Sequence, residues 1–448
     1  MNKILTYLNT PLIKNTLKLS TSSILMYILP IFVTPILSRI YNPDSFGEWG
    51  VFSSMLTIFN IVIFLGYENA LIKSTDKDEI VNLSFLCFLI LTITTTILGL
   101  VFIIGKNFGF SFFVDFPEKR LFFLCLPIFG VHTLLFNIGN WKEKYLILSI
   151  SSVVLGLSQA LFRIIFGEID ITFNGLILGT LFAQLVTVIF MSFFLVPLRF
   201  SKSEISTSFS LIKKCAIRYK KFPLYDAPAY LLSFSAFNLP VVILSLFFSK
   251  AQIGCYSIIL QLLMMPMSFV GSAMSRVYYK QIALAGSGRL DTIQNSTLSV
   301  LKIVAPIAVL PMLFLSVGGD KLIVLFLGEK WLDSGNIALC LALWSFPTLL
   351  TQPLLPLYRV LNKQNTLLKY NVMYFIMSIS SIVLGTYLLS DLYSVLLVYA
   401  ISCSIVKFRL FKSIFDESRL KISQINTYVL GLWAISILCL MIRFIYLF

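Results

Sequence analysis

Charge is scarce in this chain, and the scarcity excludes most ordinary readings. Only 12% of its 448 residues are Asp, Glu, Lys or Arg, while 58% are hydrophobic. A water-soluble core of this size needs far more polar surface to cover it. Histidine occurs once, at His132, so chemistry that needs several imidazoles lacks its material. The seven cysteines form no Cys-x-x-Cys pair. They lie in or beside apolar runs and read as small hydrophobes, not as disulfides or metal ligands. Carboxylates are missing from the middle of every apolar run; Glu48, Glu68 and Asp226 sit at run ends. That argues against a deep carboxylate that takes up and releases a proton. Soluble-enzyme motifs are missing as well. The nearest phosphate-loop lookalike runs from Gly99 to Gly105-Lys106-Asn107, with wrong spacing and Asn in place of Ser or Thr. ATP hydrolysis, and enzyme activity in general, is not expected.

What the chain has in abundance is apolar runs of bilayer-spanning length, and its mean hydropathy is +0.91. They fall at 17–38, 47–66, 81–104, 121–139, 146–166, 173–197, 224–248, 254–275, 298–317, 336–358, 367–389 and 392–408, and a thirteenth covers 427–447. About 20 apolar residues cross the hydrocarbon as a helix. Strands are excluded, because the runs do not alternate and an open sheet cannot satisfy its edges in lipid. The chain is therefore expected to be an all-α polytopic membrane protein. Its start is not expected to be a cleaved signal, since Pro11 and Lys14 interrupt the approach to a first run too long for a signal core.

Alternate connectors hold most of the 35 basic residues, with the densest set at Arg199, Lys202, Lys213, Lys214, Arg218, Lys220 and Lys221 and another at Lys407, Arg409, Lys412, Arg419 and Lys421. The positive-inside rule then makes the amino terminus cytoplasmic. Thirteen spans put the carboxyl terminus outside. The net charge of +15 does not point to nucleic acid, because it is scattered over the cytoplasmic segments as topology demands. Membrane lipids are the expected partner, through attraction to the anionic inner leaflet.

The basic connector 201–223 separates an amino-terminal six-helix bundle (1–200) from a second six-helix bundle (224–410); 411–448 follows as a cytoplasmic loop and extra helix. A faint parallel repeat relates the halves: Leu37-Ser38 and Phe46-Gly47-x-Trp49 match Leu244-Ser245 and Ile253-Gly254-x-Tyr256 at a constant offset of 207 residues. Chance is the competing account, since the matched positions are few and apolar. Pro30 and Pro35 in the first span, and Pro228 and Pro240 in the seventh, are candidate hinges. Proline removes a backbone donor and bends a helix; the plainer explanation is that membrane helices carry more proline. The stretch 277–297 reads as an interfacial amphipathic helix.

Neutral polar residues occupy the span interiors: Asn60, Thr92–Thr96, His132, Asn137, Gln159, Gln184, Asn238, Gln261 and Gln352. Amides and hydroxyls pair with sugar hydroxyls without a large desolvation penalty, or they join helices to one another. Arg39, Lys142, Arg163, Arg276, Lys302, Arg359 and Arg443 lie within about a turn of an interface, with Glu68 and Asp226 at span ends. Such cations suit a phosphate at headgroup depth; snorkelling topology anchors are the alternative. No metal site is expected.

The stretch Leu37-Ser-Arg-Ile-Tyr-Asn-Pro-Asp-Ser-Phe-Gly-Glu-Trp-Gly50, then Gly66-Tyr-Glu-Asn-Ala-Leu-Ile72, resembles the start of bacterial polysaccharide-unit (O-antigen, Wzx-like) flippases. Lys221-Phe-Pro-Leu-Tyr225, Gly254-Cys-Tyr-Ser257 with Leu263 to Pro266, and Phe326-Leu-Gly-Glu-Lys-Trp331 resemble later landmarks of that family, so the likeness spans nearly the whole chain. The resemblance implies the multidrug/oligosaccharidyl-lipid/polysaccharide exporter fold: two six-helix bundles around a central cavity, with alternating access. It implies an undecaprenyl-diphosphate-linked oligosaccharide as substrate, turned from the cytoplasmic to the periplasmic leaflet for O-antigen or capsule synthesis. A polysaccharide polymerase and a chain-length regulator are the implied partners. Arg39 and Glu68 match the opening motif, and Asp226 follows the motif that opens the second half. The family's usual Trp-x-x-Arg after the fourth span is replaced by Trp141-Lys-Glu-Lys144, leaving Lys144 as a substitute cation. No cofactor is implied, and coupling to an H+ or Na+ gradient stays open. A cation-coupled drug exporter of the same fold is the alternative. A membrane glycan polymerase is a more distant one, because the outer segments 105–120 and 318–335 are short.

Overall fold

The computed structural model describes residues 29–74, 76–169, 172–195, 208–285, 290–420, 431, 434–435 and 437–443. Among these, the regular structure is helical throughout. The first half comprises α1 (Leu29–Ile40), α2 (Pro43–Val62), a 3-10 helix (Tyr67–Lys73), α3 (Lys77–Asn107), α4 (Lys119–Trp141), α5 (Tyr145–Glu168), α6 (Gly175–Leu195) and the short α7 (Phe209–Arg218). A π-helical turn (Phe222–Asp226) leads into α8 (Ala227–Leu244), α9 (Lys250–Ala285), α10 (Leu290–Phe314), α11 (Asp320–Leu327), α12 (Leu332–Thr351), α13 (Gln364–Leu388) and α14 (Leu392–Ser418). Ten described helices are long and apolar enough to cross a bilayer, and the bent pair formed by α2 and the 3-10 helix makes an eleventh. α1 is the end of the first apolar run, whose residues 17–28 lie outside the described residues. Most of the thirteenth run, 427–447, lies outside them too.

Two compact units form: Met1–Tyr41 with Glu48–Asn238, and Asn42–Gly47 with Leu239–Phe448. In the first, α5 packs most extensively on α6, and α6 on α4. Leu135, Leu148, Met191 and Leu195 make a buried knot there. The hydroxyls of α3 largely serve their own helix: Thr92, Thr95 and Thr96 donate to carbonyls one turn back. Such back-bonding hides a hydroxyl from lipid without a partner helix. Thr94 also donates across to the Ile63 carbonyl at 3.0 Å, tying α3 to the end of α2.

In the second unit α12 is the central helix, buried over most of its length. Its Ser345, Thr348 and Thr351 donate back to the carbonyls of Ala342, Trp344 and Pro347. α12 therefore presents an apolar surface to α9, α10 and α14, which pack around it.

The first turn of α2 also belongs to this unit. Phe46 meets Trp331 edge-on at 5.0 Å, and Lys330 Nζ donates to Asn42 Oδ1 at 3.1 Å. Gly47 and Gly254 face each other there. A Cβ on Gly47 would collide with the Lys250 carbonyl and lie 3.2 Å from the Gly254 nitrogen; one on Gly254 would collide with the Pro43 carbonyl and lie 3.0 Å from the Gly47 nitrogen. Pro43 and Gly47 precede Lys250 and Gly254 by the repeat offset of 207 residues. The contact is thus reciprocal.

Two boundaries differ from the sequence reading. The stretch 277–297 is not a separate interfacial helix. α9 continues unbroken to Ala285 and α10 begins at Leu290, with Tyr278, Ile282 and Ile293 buried and Tyr278 bonded to Thr297 at 2.8 Å. Tyr278, Ile282 and Ile293 are packed inside the unit, while Val277 and Tyr279 stay exposed. Likewise α14 runs to Ser418, so Lys407, Arg409 and Lys412 are helix residues and not part of a connector.

Candidate functional sites in the two units

Arg163 is the most thoroughly built of the proposed cationic positions. It lies five residues before the end of α5, about 7.5 Å along the axis. Its residue is buried, its guanidinium lies 4.7 Å from the Trp49 ring centroid, and Nη2 donates to Thr180 Oγ1 at 2.9 Å. The Tyr41 hydroxyl donates to the Arg163 carbonyl at 2.7 Å. Gly179 on α6 lets the arginine stem pass, since a Cβ there would come within 2.6 Å of Arg163 Cγ. Buried Nε has no hydrogen-bond partner. A cation held by an aromatic face and one hydroxyl keeps donors in reserve for an anion.

Glu68 is the second such group. Leu65 and Gly66 turn the chain through positive φ (51° and 82°), ending α2 and starting the 3-10 helix that carries Glu68. Oε1 accepts from Asn69 Nδ2 at 2.9 Å, while the buried Oε2 has no partner. A cavity of about 220 Å³ adjoins it, lined by Ile61, Gly66, Glu68, Asn69, Ala227 and Tyr230. Gly66 packs on Phe222 and Ala227, so the segment of Glu68 meets the segment that carries Asp226. Asp226 itself is exposed.

The other candidates are more dispersed. Asn60 Nδ2 reaches Thr133 Oγ1 at 3.5 Å, its Oδ1 is buried without a partner, and half-buried His132 lies beside Phe136 on α4. Lys142 donates from Nζ to the Leu195 carbonyl at 2.7 Å, capping the end of α6. Burial, with Lys144 and Lys77 nearby, holds its ammonium below the ordinary lysine range. Lys144 is exposed at the start of α5, and Trp141 Nε1 donates to the Ser74 carbonyl at 3.0 Å. Exposed Arg39 reaches back to the Pro35 carbonyl at 2.8 Å. Half-buried Asn238 donates to the Phe234 carbonyl at 2.9 Å, and Gln159 and Gln261 are half-buried on α5 and α9. Arg276, Lys302 and Arg359 are exposed on the second unit. Pro30 and Pro35 lie in α1, Pro228 in the first turn of α8 and Pro240 inside it.

Sequence reasoning missed the second unit's charged interior. Lys407 sits eleven residues before the end of α14, about 16 Å along the helix. Its ammonium is 4.4 Å from the Tyr374 ring centroid, and the Tyr374 hydroxyl accepts from Trp344 Nε1 at 2.9 Å. The apolar run 392–408 stops among the first cations, whereas the helix continues past them to Ser418. Pairing Lys407 with Cys403 and Tyr399, at i−4 and i−8, would have shown one helical face. A further ion pair, Arg443 to both oxygens of Asp320 at 2.8 Å, ties the carboxyl-terminal helix to α11. Among the described residues no group of three His, Cys, Asp or Glu side chains is placed to hold a metal ion.

The sequence matches the model of a family described as polysaccharide biosynthesis protein over residues 36–336. No curated protein matches it. The fold is similar to an inward-facing multidrug resistance MATE family transporter of the MOP superfamily, at 16% identity and TM-score 0.68, covering 88% of this chain and 94% of the other. It is similar to the lipid II flippase MurJ in an inward closed conformation, at 15% identity and TM-score 0.67, covering 96% and 93%. It is also similar to a MOP superfamily transporter from Pyrococcus furiosus, at 14% identity and TM-score 0.60, covering 91% and 96%. At these identities the likeness establishes the fold alone, which is one that these proteins share.

Proposed function

The chain belongs to the polysaccharide biosynthesis protein family, and from that premise we propose that it is a flippase for lipid-linked glycans. Its substrate on this reading is an undecaprenyl-diphosphate-linked oligosaccharide repeat unit, carried from the cytoplasmic to the periplasmic leaflet of the bacterial inner membrane. The product feeds O-antigen or capsule assembly, with a polymerase and a chain-length regulator downstream. The observation that carries the reading is a polysaccharide-biosynthesis signature over residues 36–336 on an exporter fold. The residues are chemically suited to the task. Arg163 offers a partly unpaired guanidinium to a diphosphate, and half-buried amides such as Asn60 suit sugar hydroxyls. The protein acts as a transporter, not as an enzyme, by alternating access, with Pro30, Pro35, Pro228 and Pro240 as bending points.

An ion gradient drives the cycle through Glu68. Among the described residues, this buried carboxylate, with an unpaired oxygen beside a cavity, is well placed to take up H+ or Na+. Leaflet-resolved measurement of lipid-linked repeats tests the function. Deleting the gene should trap single repeat units on the cytoplasmic leaflet. Accumulation of single units on the outer leaflet would instead indicate a polymerase. Loss of organic-cation dye export with normal surface glycan would indicate a drug exporter.

A further inference from the structure

α7 and the turn after it present a face that is exposed among the described residues. Ser208 caps the helix, accepting from the Ser210 amide. Ile212 and Cys215 are buried, and α7 packs on α3. Arg218 Nη1 bonds Glu79 Oε1 at 2.7 Å, the Tyr219 hydroxyl donates to the same oxygen at 3.2 Å, and the Tyr67 hydroxyl donates to the Ala216 carbonyl at 3.0 Å. Glu79 is the third residue of α3, so these bonds hold α7 level with the first turn of a membrane span. That is the depth of the headgroups.

The opposite face is apolar and basic at once. Phe209 is 79% exposed, Ile217 57%, Leu224 61% and Tyr225 69%. Exposed Lys213, Lys214, Lys220 and Lys221 alternate with them, and Lys73 lies 5.0 Å from the Phe222 ring centroid. Asp76, Asp78 and Asp226 are the exposed acids of the neighbouring segments, and with Glu79 engaged by Arg218 the lysines outnumber them. Within α7, Phe209, Lys213 and Ile217 follow one another at helical spacing, and Lys220, Lys221, Leu224 and Tyr225 continue the exposed face through the turn and the π-helical segment after it. An apolar stripe interleaved with lysines, fixed at headgroup depth, matches the inner part of a leaflet with its acyl chains and the outer part with its phosphates.

We propose that α7 and residues 219–225 form an interfacial anchor that binds anionic phospholipid headgroups of the cytoplasmic leaflet. The anchor rests on the cytoplasmic orientation taken above and is independent of the transported substrate. Because the π-helical turn Phe222–Asp226 leads directly into α8, the anchor also fixes the depth at which α8 begins.

Hydrogen–deuterium exchange on the full-length protein tests this in nanodiscs of phosphatidylcholine alone and of phosphatidylcholine with phosphatidylglycerol. Exchange over 208–225 is expected to slow several-fold in the anionic discs. High salt should remove the difference, since headgroup attraction is screened. The variant K213Q/K214Q/K220Q/K221Q should lose it as well, with exchange in α5 and α6 unchanged as the check on folding. Equal protection in both discs would overturn the proposal, as would a difference that survives salt. Protection produced by inorganic phosphate in purely zwitterionic discs would assign the lysines to a soluble anion and overturn it too.

Discussion

Arg163 and Glu68 hold opposite charges in the first unit, and each keeps one buried polar atom unpaired. An unpaired buried donor or acceptor costs free energy unless a ligand or ion completes it. Replacing Arg163 by Gln is expected to lower glycan export at least about tenfold, equivalent to about 1.4 kcal/mol of lost interaction. Lysine at this position should restore little, because it cannot fork onto a diphosphate while bonding Thr180. Full export by the glutamine variant would remove Arg163 from substrate handling. Glu68→Gln keeps the bond from Asn69 within reach but removes the charge. Export in vesicles should then lose its response to an imposed ion gradient, while the protein folds normally. A response that persists would place coupling elsewhere. Both residues were legible as rare charges in apolar surroundings. Lys407 was not, because its charge reads as the start of a loop until the continuing helix α14 and the Tyr374 ring are seen.

At the scale of helices, the first turns of α2 and α9 approach each other closely through their backbones. The repeat-related glycines Gly47 and Gly254 leave no room for a methyl group. Alanine at either position should destabilise the protein by about 1–3 kcal/mol, because the added atom meets backbone and not a movable side chain. Thermal unfolding of the detergent-solubilised variants measures it; an unchanged midpoint would mean that the crossing opens freely. The two glycines stood out in the sequence only as a repeat, and their mutual contact needed the fold. The carboxyl-terminal helix carries a second expectation. α14 ends beside the start of α10, where Gln294 Nε2 donates to the Arg419 carbonyl at 3.0 Å. Arg443 bonds Asp320, beyond the other end of α10, which is about 37 Å long. Arg419 and Arg443 therefore lie beside opposite ends of α10. A reporter fused after Phe448 should therefore register on the periplasmic side; a cytoplasmic signal would contradict the crossing. Helix existence was legible from hydropathy, but ends were not. Cations snorkel along a helix without stopping it, which is why α14 outran its apolar run and why 277–297 belongs to α9 and α10.

For the whole molecule, composition alone gave the class: too little charge for a water-soluble core, and apolar runs that became helices. The glycan-family motifs between Leu37 and Trp331 lie wholly within the matched region 36–336. What sequence could not supply was the pairing of distant groups, such as Arg163 with Trp49 or Glu79 with Arg218, because such pairs depend on which helices become neighbours. The central claim is that this chain turns a lipid-linked glycan across a bilayer. Purified protein in liposomes loaded with an undecaprenyl-diphosphate oligosaccharide tests it most directly, by following how fast the glycan becomes accessible to an external glycosidase. Access should be far faster than in protein-free liposomes and should slow on Arg163→Gln. Identical rates with and without the protein, under either sign of ion gradient, would contradict the account.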